Sequence, residues 1–236
     1  MAFFKLEKKI DSCLVTKNLL KQIEDYLLNE LPKKTDIPKE KFFENYELIV
    51  RDKIGEEILL NISEYKISLF SDSTNYIGHH LSIYRPIHLE VVIHFNKYKE
   101  FAKIEISYES DNPREDAIGI YDSIKRIIES QRNHNNIFHI NSLFYDLFLF
   151  IAIASFVLAT FRFIKGDNIT IGIIFSLIFT VLLFYRVLSS LKPYISFESK
   201  KYFWTKRLSD RLFWGALGLI IVEIIFAFLR KNILGF

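Results

Sequence analysis

Three long apolar runs in the C-terminal half of the chain constrain its fold more than any other feature of the sequence. They cover roughly residues 143–164, 169–191 and 212–229. A helix needs about 20 apolar residues to cross a hydrocarbon core about 30 Å thick, so the first two runs are long enough and the third is barely so. The sequence therefore predicts an α-helical membrane domain, residues 143–236, with three hydrophobic segments.

The distribution of charge predicts how these segments are oriented. The loop 192–211 carries six lysines and arginines against two acidic residues, and basic loops stay on the cytosolic side of a membrane. The N-terminal half begins without the apolar core of a secretory signal, so we expect it in the cytosol as well. These features predict a protein of the bacterial inner (cell) membrane with a cytosolic N-terminal domain.

The two halves also differ in net charge. Residues 1–141 contain 20 Lys and Arg against 23 Asp and Glu, whereas residues 142–236 contain 11 against 5. Domains that bind nucleic acids broadly carry an excess of basic residues. The slightly acidic N-terminal half therefore argues against broad nucleic-acid binding.

The N-terminal half has the sequence pattern of an α+β domain, residues 1–130. Apolar residues recur near a 3.6-residue period over 6–31 and predict a first helix. Alternating and β-branched runs then predict an antiparallel sheet of about five strands. These runs lie at 46–51, 57–62, 65–70, 88–96 and 101–109.

A second helix is predicted after the sheet. Asn112 is a suitable cap, Pro113 suits the first helical position, and Glu115 and Asp116 favour the positive end of a helix. The buried stripe of this helix is predicted to comprise Ile118, Tyr121, Ile124 and Ile128. Residues 131–142 are polar and are predicted to form a hinge to the membrane domain.

Motifs for catalysis and metal binding are missing from the sequence. It contains no glycine-rich phosphate loop, no HExxH or CxxC motif and no nucleophile elbow, so we expect no enzymatic activity and no cofactor. The single cysteine, Cys13, is interpreted as a small buried hydrophobe. His88 and His94 lie six residues apart on a predicted strand, too far to chelate one ion, and no metal site is predicted.

The segment GHHLSIYRP, residues 78–86, is the best candidate for ligand binding. An arginine can hold a phosphate group, and flat rings can stack on a base. The predicted ligand is therefore a nucleotide or a short oligonucleotide, and the alternative is an ordinary solvated hairpin. The candidate residues are His79, His80, Tyr84 and Arg85, with Lys97 and Lys99 of the neighbouring hairpin.

Small residues in the apolar runs predict close helix packing. Residues four apart lie on one helix face, and small side chains there let a second helix approach. The predicted packing residues are Gly172, Ser176 and Thr180 on the second segment, with Ala216 and Ala227 on the third.

Glu223 shares the face of these alanines and is the one acidic residue in LIIVEIIFAFL, residues 219–229. An ionisable group at that depth costs at least about 2.5 kcal/mol and should face protein or water. Three placements are open: an ion pair with Arg186, a protonated carboxyl hydrogen-bonded between helices, or a ring of carboxylates lining a cation pore. The pore requires a homo-oligomer of about four subunits, because three helices do not enclose a channel.

The order and size of these parts resemble the membrane effectors of bacterial anti-phage defence, above all the channel effector of Hailong-type systems. The resemblance covers the layout of the whole chain and rests on no specific motif. It implies a homo-oligomeric channel held shut by a short DNA oligomer that a companion nucleotidyltransferase makes. No residue role is carried over from it.

The sequence thus predicts an oligomeric effector of antiviral defence that forms a ligand-gated ion channel. Nucleotide or oligonucleotide binding to the N-terminal domain is expected to control it, with the hinge 131–142 passing the change to the first apolar segment. The alternative is a non-conducting adaptor in the lipid bilayer that recruits a partner protein through the same domain.

Overall fold

The computed structural model describes residues 2–66, 68–139, 185–187 and 191–212, together with 150, 153, 154, 157, 214, 215 and 218. Short π-helical and 3₁₀ turns follow the first helix at Tyr26–Glu30 and Leu31–Lys34, and residues 200–212 are helical. The strands are β1 (Ala2–Lys9), β2 (Leu14–Val15), β3 (Tyr46–Arg51), β4 (Glu56–Leu59), β5 (Tyr76–Ile83), β6 (Leu89–Asn96), β7 (Lys103–Ser110) and β8 (Ser196–Phe197). The α-helices with both ends described are α1 (Lys17–Asp25), α2 (Lys39–Glu44) and α3 (Pro113–Glu129).

Six of the strands form one sheet in the order β1-β7-β6-β5-β3-β4. Every neighbouring pair in it is antiparallel. Helices α1 and α3 pack on one face, where apolar side chains of strands and helices share a single core. The other face, which we call the open face, carries Glu7, Tyr76, His80, His94 and Glu105, because alternate residues of a strand point to opposite sides.

The second predicted helix is present as α3. It begins with Pro113 in its first turn and has Glu115 and Asp116 there, as expected. Its buried side chains include Ile124 and Ile128, as predicted, together with Ala117 and Ile120. Ile118 is 40% exposed, so the predicted stripe is wrong at that position. Successive helical residues are rotated by about 100°, which takes Ile118 off the side that faces the sheet.

The first predicted helix, over 6–31, is wrong in its N-terminal part. Residues Ala2–Lys9 form β1, which pairs with β7 along its whole length. Phe4 and Leu6 pack on the core, and so short a run of apolar positions fits a strand as well as a helix. Helix α1 begins only after Thr16, whose hydroxyl accepts a hydrogen bond from a backbone N–H three residues further on (3.1 Å).

The sheet has six strands, and the predicted number of about five is too low. Strand β3 occupies the predicted residues 46–51, whereas the run 57–62 contributes only the strand Glu56–Leu59. The described residues of the run 65–70 do not form a strand. Strand β5 (Tyr76–Ile83) lies in the middle of the sheet and contains residues 78–83 of the segment interpreted as a ligand loop, 78–86. Their glycine and histidines are unfavourable in isolated strands, but pairing on both sides overrides that preference.

A segment that follows the first two apolar runs packs on the N-terminal domain. We call residues 192–201 the docked segment. Its strand β8 pairs in parallel with β2, and Tyr194 and Ile195 belong to the domain core. The Tyr194 hydroxyl donates a hydrogen bond to the carbonyl of Ile10 (2.9 Å). The basic loop predicted at 192–211 is therefore partly built into the α+β domain.

The prediction of a membrane domain with three spans is contradicted. Within the part of the chain that the structure describes, no helix is both long and apolar enough to cross a membrane. Helix α3 has 17 residues, but charged side chains alternate with its apolar ones. The fold class is corrected to α+β with a six-stranded antiparallel sheet, and the membrane, ion-channel and inner-membrane assignments are corrected with it. Most residues of the three apolar runs lie outside the described residues.

Candidate anion-binding site at the docked segment

The end of the docked segment lies beside the turn that precedes β5. The backbone N–H of Phe70 donates to the carbonyl of Glu198 (2.9 Å). The backbone N–H of Lys201 donates to the carboxylate of Asp72 (2.6 Å), which thereby caps the helix that starts at residue 200. These two bonds hold Lys201 against the 70–75 turn.

The turns that follow β3 and β6 lie close to the same 70–75 turn. The Lys97 N–H donates to the carbonyl of Asn75, and the Asn75 N–H donates to the carbonyl of Arg51, both at 3.1 Å, so the ends of β6, β5 and β3 lie side by side. Lys53 follows in the turn after β3. Burial lowers the pKa of Lys97 most, and the charges of Lys201 and Lys53 lower it further. The charges of Lys53 and Lys201 thus both act on Lys97, and we call the three residues the lysine cluster.

Two carboxylates near the lysine cluster are engaged with backbone groups. Asp52 accepts hydrogen bonds from the N–H groups of Ile54 (2.7 Å) and Gly55 (3.1 Å), which hold its pKa below the usual range. Asp72 accepts from the backbone of Lys201. Among the described residues, none of the three lysines forms an ion pair with a carboxylate. The three lysines outnumber these two carboxylates, so the cluster carries a local excess of positive charge, which suits an anion such as phosphate.

The helix that begins at residue 200 extends the positive surface. Thr205 and Ser209 form its buried side. On the exposed side Trp204 is 62% exposed, and an indole ring can stack on a nucleobase while nearby cations contact phosphates. The acidic Asp210 lies 3.9 Å from Lys192. The exposed cations of this helix, besides the clustered one, are Lys200, Lys206, Arg207 and Arg211.

Residues that precede and follow the first two apolar runs meet at the docked segment. The Asn135 side-chain amide donates to the carbonyl of Pro193 (2.9 Å) and to the hydroxyl of Ser196 (3.2 Å). Nε2 of His139 lies 2.7 Å from the carbonyl of Lys192, and because a carbonyl only accepts, this nitrogen carries the proton. We call these contacts the junction. They tie the predicted hinge to the docked segment.

The sequence-predicted ligand residues do not form one site. Lys97 belongs to the lysine cluster, and Lys99 lies at the junction, where its ammonium group donates to the carbonyl of His139 (3.2 Å). Tyr84 and Arg85 lie in the turn between β5 and β6, at the opposite end of β6. Since β6 has eight residues, roughly 25 Å separates the two ends. Tyr84 and Arg85 are therefore not placed with the lysines.

His79 faces the core and has no exposed surface. Its Nδ1 lies 2.7 Å from the hydroxyl of Tyr46, and its Nε2 has no hydrogen-bond partner among the described residues. Buried N–H groups without an acceptor are rarer than bare lone pairs, so we assign the proton to Nδ1, which donates to Tyr46. Burial lowers the pKa of His79 to about 3. It is a neutral core residue that no ligand reaches.

His80 lies on the open face within a network of polar side chains. The Tyr76 hydroxyl lies 3.2 Å from Nε2 of His80 and 2.9 Å from Nδ1 of His94. Nε2 of His94 lies 3.5 Å from the carboxylate of Glu105. Burial lowers the pKa of both histidines, so both are neutral near pH 7. The members of the network satisfy one another, which is a sufficient role for His80.

The predicted pore residue and the five predicted packing residues belong to the second and third apolar runs. Within the described residues, no group of three or more His, Cys, Asp or Glu side chains is arranged to hold a metal ion. The residues that lie outside the described part of the chain are Glu223, Gly172, Ser176, Thr180, Ala216 and Ala227.

Sequence reasoning missed Lys53 and Lys201. Both lie far from Lys97 in the chain, and no local motif connects the three. The excess of basic residues in 192–211 was the one usable signal, but it does not show where that stretch docks.

Comparisons with known proteins add no assignment. No protein-family model matches the chain, and neither a curated protein nor a solved structure matches it significantly.

Proposed function

We propose that the α+β domain is a regulatory module that binds a nucleotide or a short oligonucleotide at the lysine cluster and thereby controls the docked segment. One observation carries this proposal: Lys53, Lys97 and Lys201 converge from three distant parts of the chain without an ion pair among the described residues. Positive charges that lie close together repel one another, and each disfavours the charged form of its neighbours. A bound phosphate relieves this repulsion by adding negative charge beside the lysines.

The surface beyond the cluster favours a ligand with several phosphates and at least one base. Exposed cations continue along the helix from residue 200, and Trp204 offers a ring for stacking. The N-terminal half is slightly acidic as a whole, which favours a short ligand held locally over a long nucleic acid. The proposed role is binding, because ammonium groups without a carboxylate partner among the described residues hold an anion.

The position of the site couples binding to docking. Lys53 and Lys97 belong to turns of the sheet, whereas Lys201 belongs to the docked segment. A ligand that contacts both parts has a higher affinity for the docked arrangement, and it stabilises that arrangement by the same free energy. The junction contacts of Asn135 and His139 hold these residues against the docked segment. They therefore connect the site to both ends of the stretch that lies between residues 139 and 192.

Fluorescence anisotropy with a dye-labelled single-stranded hexathymidylate tests the proposal on the full chain. We expect Lys97→Gln/Lys201→Gln to bind at least about tenfold more weakly and to show a shallower dependence of affinity on salt, because fewer counterions are released. The matched control, Lys41→Gln/Lys125→Gln, removes two exposed lysines from α2 and α3 and should keep the affinity of the original chain. Equal affinities of the two double variants, or no binding at low salt, would contradict the proposal.

Recruitment of a partner protein is a second candidate function. Strand β4 forms an edge of the sheet. Its residue Ile58 is 57% exposed, and beside the strand Ile54 is 93% exposed and Leu60 is 65% exposed. A strand edge with exposed apolar side chains can accept a strand from another protein. Ile58→Lys separates the two functions, since it should abolish recruitment and leave oligonucleotide binding unchanged.

A further inference from the structure

A groove of about 440 Å³ lies between the π-helical turn Tyr26–Glu30 and α3. Side chains of Tyr26, Lys34 and Arg126 line it together with polar and apolar neighbours. Its volume falls in the range of sites that hold small molecules. Neither the sequence analysis nor the proposed function uses this part of the molecule.

The groove forms where the helix changes its pitch. Helix α1 ends at Asp25, the chain continues as a π-helix to Glu30, and a 3₁₀ turn follows over Leu31–Lys34. A π turn holds an extra residue compared with an α turn, and such turns are frequent at functional sites. Here the widened turn places Tyr26 opposite the side chains of α3.

The hydroxyl of Tyr26 is a buried hydrogen-bond donor. Tyr26 is 7% exposed, and its hydroxyl has no hydrogen-bond partner among the described residues. The hydroxyl of Ser123 also lines the groove and donates to the carbonyl of Gly119 (2.9 Å). Burial raises the pKa of Tyr26, and the opposing effects of Ser123 and Arg126 are smaller. The phenol therefore keeps its proton at neutral pH.

Two cations flank this phenol. The ammonium group of Lys34 lies over the Tyr26 ring, 5.3 Å from its centroid, and Arg126 lines the groove from α3. Neither forms an ion pair among the described residues, and the carboxylate of Glu30 is held by Lys33 (2.8 Å). The groove thus combines two cations and the Glu30 carboxylate, which Lys33 pairs, with an O–H group that has no acceptor among the described residues.

We propose that the groove binds a small molecule through one phosphate or carboxylate group. The oxyanion accepts the Tyr26 O–H and faces the guanidinium group of Arg126, whose planar fork matches two oxygens. The flexible side chain of Lys34 moves aside to admit the ligand and then adds its charge. Ile127 supplies an apolar wall against which a ring or an alkyl group of the ligand packs.

Isothermal titration calorimetry on the full chain tests this site with three probes. They are inorganic phosphate, adenosine monophosphate and benzoate, so that phosphate and carboxylate chemistry are distinguished. We expect at least one probe to bind, and Arg126→Gln and Tyr26→Phe each to weaken it at least fivefold. Tyr26→Phe keeps the buried ring, and thermal melting shows that each variant is folded. Arg114→Gln, which removes an arginine from the first turn of α3, is the matched control and should bind as the original chain does.

The outcomes distinguish this site from the lysine cluster. The proposal is overturned if no probe binds, or if binding survives unchanged in either Arg126→Gln or Tyr26→Phe. It is also overturned if Lys97→Gln/Lys201→Gln abolishes the binding, because the anion then occupies the lysine cluster. Retained binding in that double variant supports the groove, whatever the result with the oligonucleotide.

Discussion

The phenol ring of Tyr76 lies across Gly78, two residues further along β5. A methyl group on residue 78 would come within 2.7 Å of the phenol Cζ atom. Only glycine therefore leaves enough space for the Tyr76 ring in this position. From there the hydroxyl reaches His80 and His94. A single glycine therefore permits the hydrogen-bond network of the open face.

Gly78→Ala should destabilise the fold by about 1–3 kcal/mol, because the ring must move and the network loses its central hydroxyl. Urea unfolding measures the change. Gly119→Ala is the matched control: its new methyl group meets nothing within 4 Å, and alanine in a helix is favoured over glycine by about 0.5–1 kcal/mol. A Gly78→Ala protein as stable as the original would show that the ring does not need this space.

The stability of the fold should depend on pH through His79. Its pKa is about 3 in the folded state, below the unfolded value of about 6.5. The unfolded chain therefore takes up a proton that the folded one excludes, and stability is lost as the pH falls from about 6.5 toward 3.

His79→Asn tests whether this pH dependence comes from His79. Asparagine keeps an N–H group that can donate to Tyr46, but it has no group that titrates. We expect urea unfolding between about pH 6.5 and pH 5 to show a slope that is smaller by up to about 1.4 kcal/mol per pH unit. His80 and His94 remain in both proteins and contribute equally to both slopes. Identical slopes would assign the pH dependence to other groups.

Asn135 should hold the junction through its side chain. Asn135→Ala removes the bonds to Pro193 and Ser196, leaves a half-buried carbonyl without that donor, and is expected to cost about 1–3 kcal/mol. Asn136→Ala is the control at the next position, because the interaction of Asn136 with Ser12 uses its backbone N–H (3.2 Å) and not its side chain. Equal unfolding free energies for the two variants would contradict this role.

Cys13 should report release of the docked segment. It is fully buried, burial raises the pKa of its thiol to about 12, and its carbonyl accepts from the N–H of Ser196 (3.0 Å). Since only the thiolate reacts, we expect very slow modification by a disulfide reagent near pH 8 in the folded chain, and faster modification in Asn135→Ala. Rapid reaction of the original chain would mean that the segment is not held in this way.

The elements fixed by local signals were predicted from the sequence. Strand β3 lies at the predicted residues 46–51, and α3 begins at Pro113 as expected, because alternation and helix-start residues act over a few positions. Strands β1 and β5 were not predicted. Their identity depends on partners elsewhere in the chain, which a short window does not contain.

The candidate site was predicted only in part. Lys97 was in the expected set, but Lys53 and Lys201 become its neighbours through the sheet turns and the docked segment. Hydropathy and charge favoured a loop between two membrane spans for 192–211. Neither hydropathy nor charge indicates that Tyr194 and Ile195 pack into the core of the domain.

Hydrogen exchange at the backbone amides of Ser196 and Glu198 tests the central claim most directly. These amides donate to the carbonyls of Cys13 and Val15, both at 3.0 Å, and they exchange only when β8 leaves β2. We predict that hexathymidylate slows their exchange in the original chain and has no effect in Lys97→Gln/Lys201→Gln. Exchange that is unchanged by saturating oligonucleotide in the original chain would contradict control of the docked segment through the lysine cluster.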